Sequence, residues 1–206
     1  MVSWKPPTAP WLKVNTNGSV VGGYAACRGL FRDNLRTFCG AFFCNAALQS
    51  GFYAEVLGII IAIEFAAQNG WRNIWLESNS TSALMIFSNS LLVPIMLRNR
   101  WHNARNLGIH VISSHIYREG NCCADKLAAL GHSMVGEVWL DTLPDALKID
   151  FFRDRCGINA GLLTIDSPNL YFRLFCCFLF FFFSFLLFLG GFLPSPPSFC
   201  KYFPLF

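Results

Sequence analysis

Two acidic side chains stand where a carboxylate could do chemistry. Glu55 falls on one stripe of a predicted helix, and because the rest of that stripe is apolar its side chain points inward, where an unpaired charge is costly. The other members of the stripe are Ile59, Ala62 and Ala66. Asp125 falls in the predicted first turn of a later helix, where the helix dipole favours a negative charge. The same dipole argument could account for Glu55 as a carboxylate at a helix start, so neither acid alone identifies a site.

Four short stretches carry the polar residues that stand out. The first is Leu12-Lys13-Val14-Asn15-Thr16-Asn17-Gly18-Ser19, which alternates like a half-buried strand and then reaches Asn17-Gly18, a pair typical of turns. The other three are Tyr53-Ala54-Glu55, Glu77-Ser78-Asn79-Ser80 and Asn121-Cys122-Cys123-Ala124-Asp125-Lys126-Leu127-Ala128. Taken alone, Asn17 predicts a turn and Asn79 predicts part of the cap of a helix that begins at Ser80.

In this order and spacing the four stretches resemble the ribonuclease H fold. They are most similar to the plant retroelement type, whose motifs read N-T-D-G, A-E, E-S-D-S and R-E-G-N-x-x-A-D-x-L-A. The resemblance covers roughly Trp11 to Arg155. It implies four carboxylates that hold two Mg²⁺ ions at the scissile phosphate of the RNA strand in an RNA–DNA hybrid.

The resemblance assigns a role to five positions of this chain. Glu55 and Asp125 stand at two of the carboxylate positions, whereas Asn17 and Asn79 stand at the other two, where relatives carry Asp. His115 lies in the general region of a mobile His that assists product release in some relatives. Taken by itself, a histidine such as His115 is more often a structural or exposed residue than a functional one.

The two asparagines predict a weakened metal site. Mg²⁺ prefers charged oxygen ligands, and losing two carboxylates close to divalent ions costs roughly 4 kcal/mol, or about a thousandfold in metal occupancy. We therefore expect hybrid cleavage to be weak or lost. One alternative is an active magnesium-dependent hybrid ribonuclease in which Glu55, Asp125 and the substrate phosphates suffice. Another is a non-catalytic retroelement remnant or a membrane-tethered adaptor.

The resemblance also implies a nucleic-acid partner, either an RNA–DNA hybrid or double-stranded RNA. Recognition would use contacts with 2′-hydroxyl groups and phosphates. The net charge of +4 is compatible with such a partner but does not identify it. The candidate contact residues are Asn15, Asn45, Gln49, Ser50, Arg98, Arg100, Arg105 and Arg118. The arginines could equally form an ordinary solvated face.

The elements that must position these residues follow the order β-β-β-α-β-α-α-β-α. The predicted strands are Leu12 to Asn17, Gly22 to Arg32, Arg36 to Cys44, Arg72 to Glu77 and Ile109 to Ser114. The predicted helices are Gly51 to Asn69, Ser80 to about Ser88, Pro94 to Leu107, and one capped by Asn121 that runs to about Leu130. This order predicts an α/β fold with a mixed five-stranded sheet, in which a three-strand antiparallel meander joins parallel strands, with helices on both faces.

Two arginines depart from the same family pattern. Relatives usually carry Gly where Arg28 and Arg36 stand. Where the backbone needs a positive φ, losing a Gly costs about 1 kcal/mol or more. Both positions are therefore expected to be strained.

The chain divides by composition into four parts: a leader at 1–10, a ribonuclease H-like domain at 11–135, an extension of that domain at 136–160 and a hydrophobic tail at 161–206. Leu174 to Leu193 is twenty uncharged residues, long enough to cross a bilayer as a helix. Its Phe, Leu, Ser, Pro and Cys also correspond to pyrimidine-rich codons, and a gene-model artefact is favoured over a membrane anchor.

The cysteines and the first residues indicate the compartment. The leader has no apolar core of the secretory type, and the nine cysteines are scattered or adjacent, so we expect reduced thiols in the cytoplasm or nucleus. A membrane location follows only if residues 174–193 are produced. The residues His115, Cys122, Cys123 and His132 could be imagined as zinc ligands, but their spacing matches no paired-ligand pattern.

Overall fold

The structure is a computed structural model that describes residues 4–127 and 136–156. The strands are β1 (Leu12–Val21), β2 (Tyr24–Arg32), β3 (Phe38–Leu48), β4 (Asn73–Ser78), β5 (His110–His115) and β6 (Glu137–Leu140). The helices are α1 (Gly51–Gln68), α2 (Thr81–Leu84), α3 (Arg98–Arg105), α4 (Cys122–Lys126) and α5 (Lys148–Cys156). Single 3₁₀ turns occupy Met85–Phe87, Ser90–Leu92, Ile95–Leu97, Arg118–Gly120 and Asp145–Leu147.

The six strands form one mixed sheet in the order β5-β4-β1-β2-β3-β6. The antiparallel meander β1-β2-β3 and the parallel strands β1, β4 and β5 confirm the predicted fold class. The predicted count of five strands was wrong, because β6 pairs antiparallel with β3 between Ala41 and Cys44. This short strand covers the outer edge of β3, whose backbone groups would otherwise lack partners.

The first strand is longer than its pattern predicts. β1 continues through Asn17 and Gly18 to Val21, and Gly22 and Gly23, with φ of 57° and 85°, make the reversal into β2. The turn predicted at Asn17-Gly18 was therefore wrong, because the glycine pair meets the need for positive φ four residues later. Of the two arginines at family glycine positions, Arg36 has a φ of 62° as expected, whereas Arg28 lies in regular strand.

Helix α1 packs on one face of the sheet and confirms the most regular sequence pattern. Ser50 caps it by accepting a hydrogen bond from the backbone N–H of Tyr53 at 3.1 Å. Among the described residues, α1 is long and apolar enough to cross a membrane, but 61% of it is buried against the protein, as expected of a core helix. The predicted span at 174–193 lies outside the described residues.

The other face of the sheet is covered by α4 and α5. The apolar residues buried there are Leu30, Ala41, Cys123, Leu127, Leu147 and Phe151. Asn121 precedes α4, but its side chain makes no capping bond and its amide donates instead to the carbonyl of Thr16 at 3.1 Å. The prediction that Asn121 caps this helix was wrong, because the amide holds α4 to β1. The predicted end of the helix near Leu130 lies outside the described residues.

The polar face of β1 is also covered, so the expectation of a half-buried strand was wrong. Lys13 and Asn15 are 1% and 0% exposed. The Lys13 ammonium donates to Glu77 at 2.7 Å and to the Lys5 carbonyl at 2.8 Å, and the indole N–H of Trp4 donates to Asn15 at 2.8 Å. The leader segment therefore seals a buried polar network instead of lying apart from the domain.

The region between β4 and β5 is less helical than predicted. Ser80 caps α2 as expected, accepting from Ala83 N–H at 3.3 Å, but the α-helix ends at Leu84 and continues as 3₁₀ turns. The helix predicted from Pro94 begins as a 3₁₀ turn and becomes α-helical only from Arg98 to Arg105.

Candidate active site

The middle of β1, where its pairing with β4 ends, meets the carboxyl end of β4 and the first turns of α1 and α4 at one place. β1 and β4 run side by side, with Thr16 paired to Ser78, so Asn17 and Asn79 follow at the same end of the sheet. The Asn17 amide donates to the Asp125 carboxylate in a short contact. The Ser78 hydroxyl donates to Glu55 Oε2 at 3.4 Å. The structure thus brings the two asparagines and two carboxylates into one neighbourhood.

Glu55 is held in a poorly solvated position. Burial raises the pKa of its carboxyl to about 7, against the opposing effects of the Gly18 N–H, the Arg28 guanidinium and the Ser78 hydroxyl. The nearby Asp125 charge raises this pKa further. The ionised form of Glu55 therefore depends on the positive groups around it.

Asp125 is half-buried and is surrounded by donors. Burial raises the pKa of its carboxyl, while Arg118, Arg28 and the Asn17 amide act in the opposite direction. Arg118 Nε lies 3.8 Å from Asp125 Oδ2, and its side chain is 77% exposed. An exposed pair at this distance is weak, so Arg118 remains available to an incoming ligand.

Arg28 belongs to the site, although the sequence interpretation treated it only as a lost glycine. It lies on β2 directly opposite Asn17 of β1, and it is 2% exposed. Its Nε donates to the Ala124 carbonyl at 2.7 Å, and one terminal nitrogen donates to Ser19 Oγ at 2.8 Å. Burial lowers the pKa of Arg28, and Asp125 and Glu55 offset that effect.

The two remaining predicted residues lie at the rim. Asn79 is partly exposed, but its side-chain oxygen is buried and has no hydrogen-bond partner in the described part of the chain. His115 is exposed, lies beside Ser78 in the parallel β4–β5 register, and contacts the Tyr117 ring edge-on with centroids 5.0 Å apart. Both residues are therefore close to the ends of the site strands.

These residues do not fit the pair of divalent ions that the family resemblance implies. Across residues 4–127 and 136–156, no three His, Cys, Asp or Glu side chains are grouped to hold a metal ion. Asn17 directs an N–H at Asp125, where a cation would need an oxygen, and Asn79 offers only an uncharged oxygen. The Arg28 guanidinium acts on both carboxylates and Arg118 acts on Asp125, so positive side chains already lie in this neighbourhood. His132 lies outside the described residues, so the zinc alternative remains a prediction.

The predicted contacts near α1 differ in availability. Asn15 is fully buried and its carboxamide bonds to Trp4, Arg32 and Glu77, so it presents nothing to a ligand. Asn45 accepts from the Ala47 N–H at 2.9 Å and stabilises the end of β3. Ser50 caps α1, and Gln49 is half-buried beside it. Gln49 and Ser50 thus share the loop that leads into the helix bearing Glu55.

The arginines of α3 are mostly occupied by the protein itself. Arg100 forms a bidentate pair with Glu64, with contacts of 2.9 Å and 2.6 Å, and also meets Glu137 at 2.9 Å. Arg98 donates to the carbonyls of Val93 and Leu91. Arg105 is exposed and lies over the rings of Trp101 and Phe87. Together with Arg98 and His102, these groups line a cleft of about 570 Å³.

Gly18 controls how closely β1 approaches α1 at the site. A Cβ at this position would lie 2.5 Å from the Glu55 nitrogen and 2.9 Å from the Ala54 carbonyl carbon. Both atoms are backbone, so Gly18→Ala must push the helix from the strand, and we expect a loss of about 1 to 3 kcal/mol in the free energy of unfolding.

The matched control for this prediction is Gly51→Ala, where a Cβ would make only a 3.8 Å contact with Val20. Urea unfolding followed by tryptophan fluorescence compares the two variants with the wild type. Equal midpoints for the two variants would show that the close approach at Gly18 is unimportant.

Comparison with known proteins gives the family. The reverse transcriptase-like family model matches residues 15–131, more than half of the chain. A protein of Arabidopsis thaliana named as a ribonuclease H protein, At1g65750, is 30% identical over 164 residues, which cover 76% of this chain and 26% of that protein. The chain therefore spans about a quarter of the length of this relative.

Solved structures share the fold. The N-terminal RNase H domain of Rv2228c from Mycobacterium tuberculosis matches with a TM-score of 0.53 and 18% identity, over 60% of this chain and 94% of that chain. LC11 RNase H1, solved in complex with an RNA/DNA hybrid, matches with a TM-score of 0.50 and 18% identity, over 56% and 92% of the two chains. From its fold and the family model together, the chain belongs to the reverse transcriptase-like family of ribonuclease H-like domains.

Proposed function

We propose that this chain binds nucleic acid, with RNA–DNA hybrid as its first candidate, and that its cleavage of the hybrid is weak or absent. The observation that carries the proposal is that the Asn17 amide donates an N–H to the Asp125 carboxylate. The resemblance implies that Asn17 and Asn79 stand at two carboxylate positions of the family. LC11 RNase H1, which shares the fold of this chain, was solved in complex with an RNA/DNA hybrid.

The loss of cleavage is argued from charge. Divalent ions at a site of this kind depend on carboxylates, and replacing two of them with asparagine costs roughly 4 kcal/mol of ion binding. Asp125 is also engaged by Asn17 and lies close to Arg118. An ion would have to displace these contacts as well, which adds to the cost.

Binding of nucleic acid is argued from groups that remain accessible. Arg118 is 77% exposed on its side chain beside Asp125, and Arg105 is exposed on α3. Gln49 and Ser50 are polar groups at the start of α1, suited to 2′-hydroxyl contacts. Phosphate contacts supply affinity without needing a metal ion, so binding can persist where cleavage does not.

A second candidate function is a working magnesium-dependent hybrid ribonuclease. The observation in its favour is that Glu55 and Asp125 lie in one neighbourhood and that the buried side-chain oxygen of Asn79 has no hydrogen-bond partner within residues 4–127 and 136–156. Substrate phosphates would then have to complete the ligand set. The cleavage assay below separates this candidate from the first.

The test of binding is the salt dependence of hybrid affinity. If about three phosphates are neutralised, the affinity of the full-length chain, held in a nonionic detergent, falls about fortyfold when salt rises from about 50 mM to about 200 mM. Fluorescence anisotropy of a labelled hybrid measures this, with and without EDTA. We expect EDTA to have no effect.

Two variants locate the surface. Arg118→Ala should weaken binding and lower the salt slope by about one. Arg72→Ala removes the same charge from an exposed position before β4, at the opposite end of that strand from Asn79, and should change neither. No measurable affinity at low salt would refute the binding proposal, and magnesium-dependent cutting by the wild type at the rate of an active ribonuclease H would favour the second candidate.

A further inference from the structure

Arg28 is fixed in the site by backbone geometry. Because it lies directly opposite Asn17 in the antiparallel pair, the two side chains project from the same face of the sheet. Its guanidinium bonds to the carbonyl of Ala124, the residue before Asp125, and to the hydroxyl of Ser19 at the end of β1. The cation is thereby tied to both elements that hold the Asn17–Asp125 contact.

Burying the Arg28 guanidinium would destabilise the fold if no negative charge lay near it. Arg28 is 2% exposed, and burying an unpaired ion costs several kcal/mol. The carboxylates that favour its charged form are Asp125 and Glu55. The same carboxylates are buried enough to need a cation, so each side of this cluster requires the other.

Arg28 therefore fills an electrostatic role in this cluster. In the family pattern four carboxylates face two divalent ions, and their formal charges cancel. Here the positive charge beside Glu55 and Asp125 comes from Arg28 and Arg118, so two carboxyl groups meet two guanidinium groups without a metal ion. Arg118 is exposed and 3.8 Å from Asp125, and it opposes the raised pKa of that carboxyl more than Arg28 does. The buried Arg28 acts on both carboxyls, and it is the cation that opposes the raised pKa of Glu55.

We propose that Arg28 is a built-in cation that replaces divalent metal at this site, so that the site is folded, neutral and closed to Mg²⁺ in the resting protein. This inference rests on the placement of the site in the proposed function. It does not depend on whether the chain binds nucleic acid. It assigns to Arg28, in place of the usual glycine, the neutralisation of Glu55 and Asp125.

The first experiment measures thermal unfolding of the full-length chain in nonionic detergent, in EDTA and in millimolar Mg²⁺ or Mn²⁺ at matched ionic strength. The wild type and the charge-retaining Arg28→Lys variant should show no metal-dependent shift in Tm. The neutral Arg28→Gln variant should unfold at a lower temperature in EDTA and recover part of the loss when metal is added, because metal binding then stabilises the folded state.

The second experiment does not depend on whether the Arg28→Gln variant folds. Asn17→Asp/Asn79→Asp gives four carboxylates with Arg28 in place, and the further change Arg28→Gly gives the residue pattern that the resemblance implies. Mn²⁺ binding measured by electron paramagnetic resonance should be at least about tenfold tighter in the triple variant than in the double variant.

Equal Mn²⁺ affinity in the double and triple variants overturns the inference, and so does sub-millimolar Mn²⁺ binding by the wild type. If Arg28→Gln does not fold, the second experiment decides. These readouts contain no nucleic acid. A protein that fails to bind hybrid but shows the tenfold difference would refute the proposed function and leave the role of Arg28 intact.

Discussion

Hybrid cleavage is expected to rise about a thousandfold over the wild type in the variant Asn17→Asp/Asn79→Asp/Arg28→Gly. The three changes place carboxylates at position 17 of β1 and directly after β4, and they remove the guanidinium that lies opposite residue 17. They also abolish the amide that donates to Asp125. The measurement is the initial rate of magnesium-dependent cutting of a labelled hybrid by the full-length chain.

Two controls make this result specific. Adding Glu55→Gln to the triple variant should return the rate to the wild-type level, because Glu55 is one of the two carboxylates that the chain retains. Keeping Arg28 in the double variant should give a rate well below that of the triple. A wild type that cuts as fast as the triple variant would contradict the charge argument altogether.

The sequence was sufficient for the parts of the site that lie on regular elements. Glu55 sits on α1, which has a continuous apolar pattern and a clear cap at Ser50, so its inward direction could be read from the stripe. Asp125 sits in the first turn of α4 as expected. The mixed sheet followed from the order of strands and helices, because a meander followed by crossovers leaves few other arrangements.

The role of Arg28 was missed because it depends on register. Placing the turn at Asn17-Gly18 hid the pairing, whereas a reversal at Gly22-Gly23 puts Arg28 directly opposite Asn17. Register is set by the turn, and a shifted turn changes every cross-strand pair. If the turn had been placed at Gly22-Gly23, the sequence alone would have predicted that Arg28 lies opposite Asn17.

The arginines of α3 show a different limit. A dense positive cluster predicts a ligand-binding surface when its partners within the protein are not known. The partners of Arg100 could not be predicted from the sequence, because Glu64 and Glu137 are distant from it along the chain. The structure shows that Arg100 joins α3 to α1 and β6 through these two glutamates. Charge clustering therefore located a basic helix but could not distinguish its structural ion pairs from groups available to nucleic acid.

The polar residues of β1 were misread for a related reason. Alternation predicts two faces but does not say what covers the polar one. Here Trp4 from the leader and Trp75 from β4 lie over the Lys13 ammonium, with ring centroids 5.6 Å and 3.9 Å away. A charge enclosed in this way must have a partner, and Glu77 supplies it.

Glu77→Gln should therefore destabilise the protein by about 3 to 5 kcal/mol, because it leaves the Lys13 ammonium buried and unpaired. Burial lowers the pKa of Lys13, and Glu77 opposes this shift, so the charged ammonium depends on that carboxylate. The free energy of unfolding in urea, followed by tryptophan fluorescence, measures the loss.

A double-mutant cycle separates the buried charge from the rest of the network. Lys13→Met/Glu77→Gln removes the ammonium together with its partner and should recover a large part of the stability lost in Glu77→Gln alone. The matched surface control is Asp145→Asn, which breaks the exposed pair with Lys148 and should leave the urea midpoint unchanged. If Glu77→Gln unfolds at the same urea concentration as Asp145→Asn, the Lys13–Glu77 pair is too well solvated to organise the interior of β1.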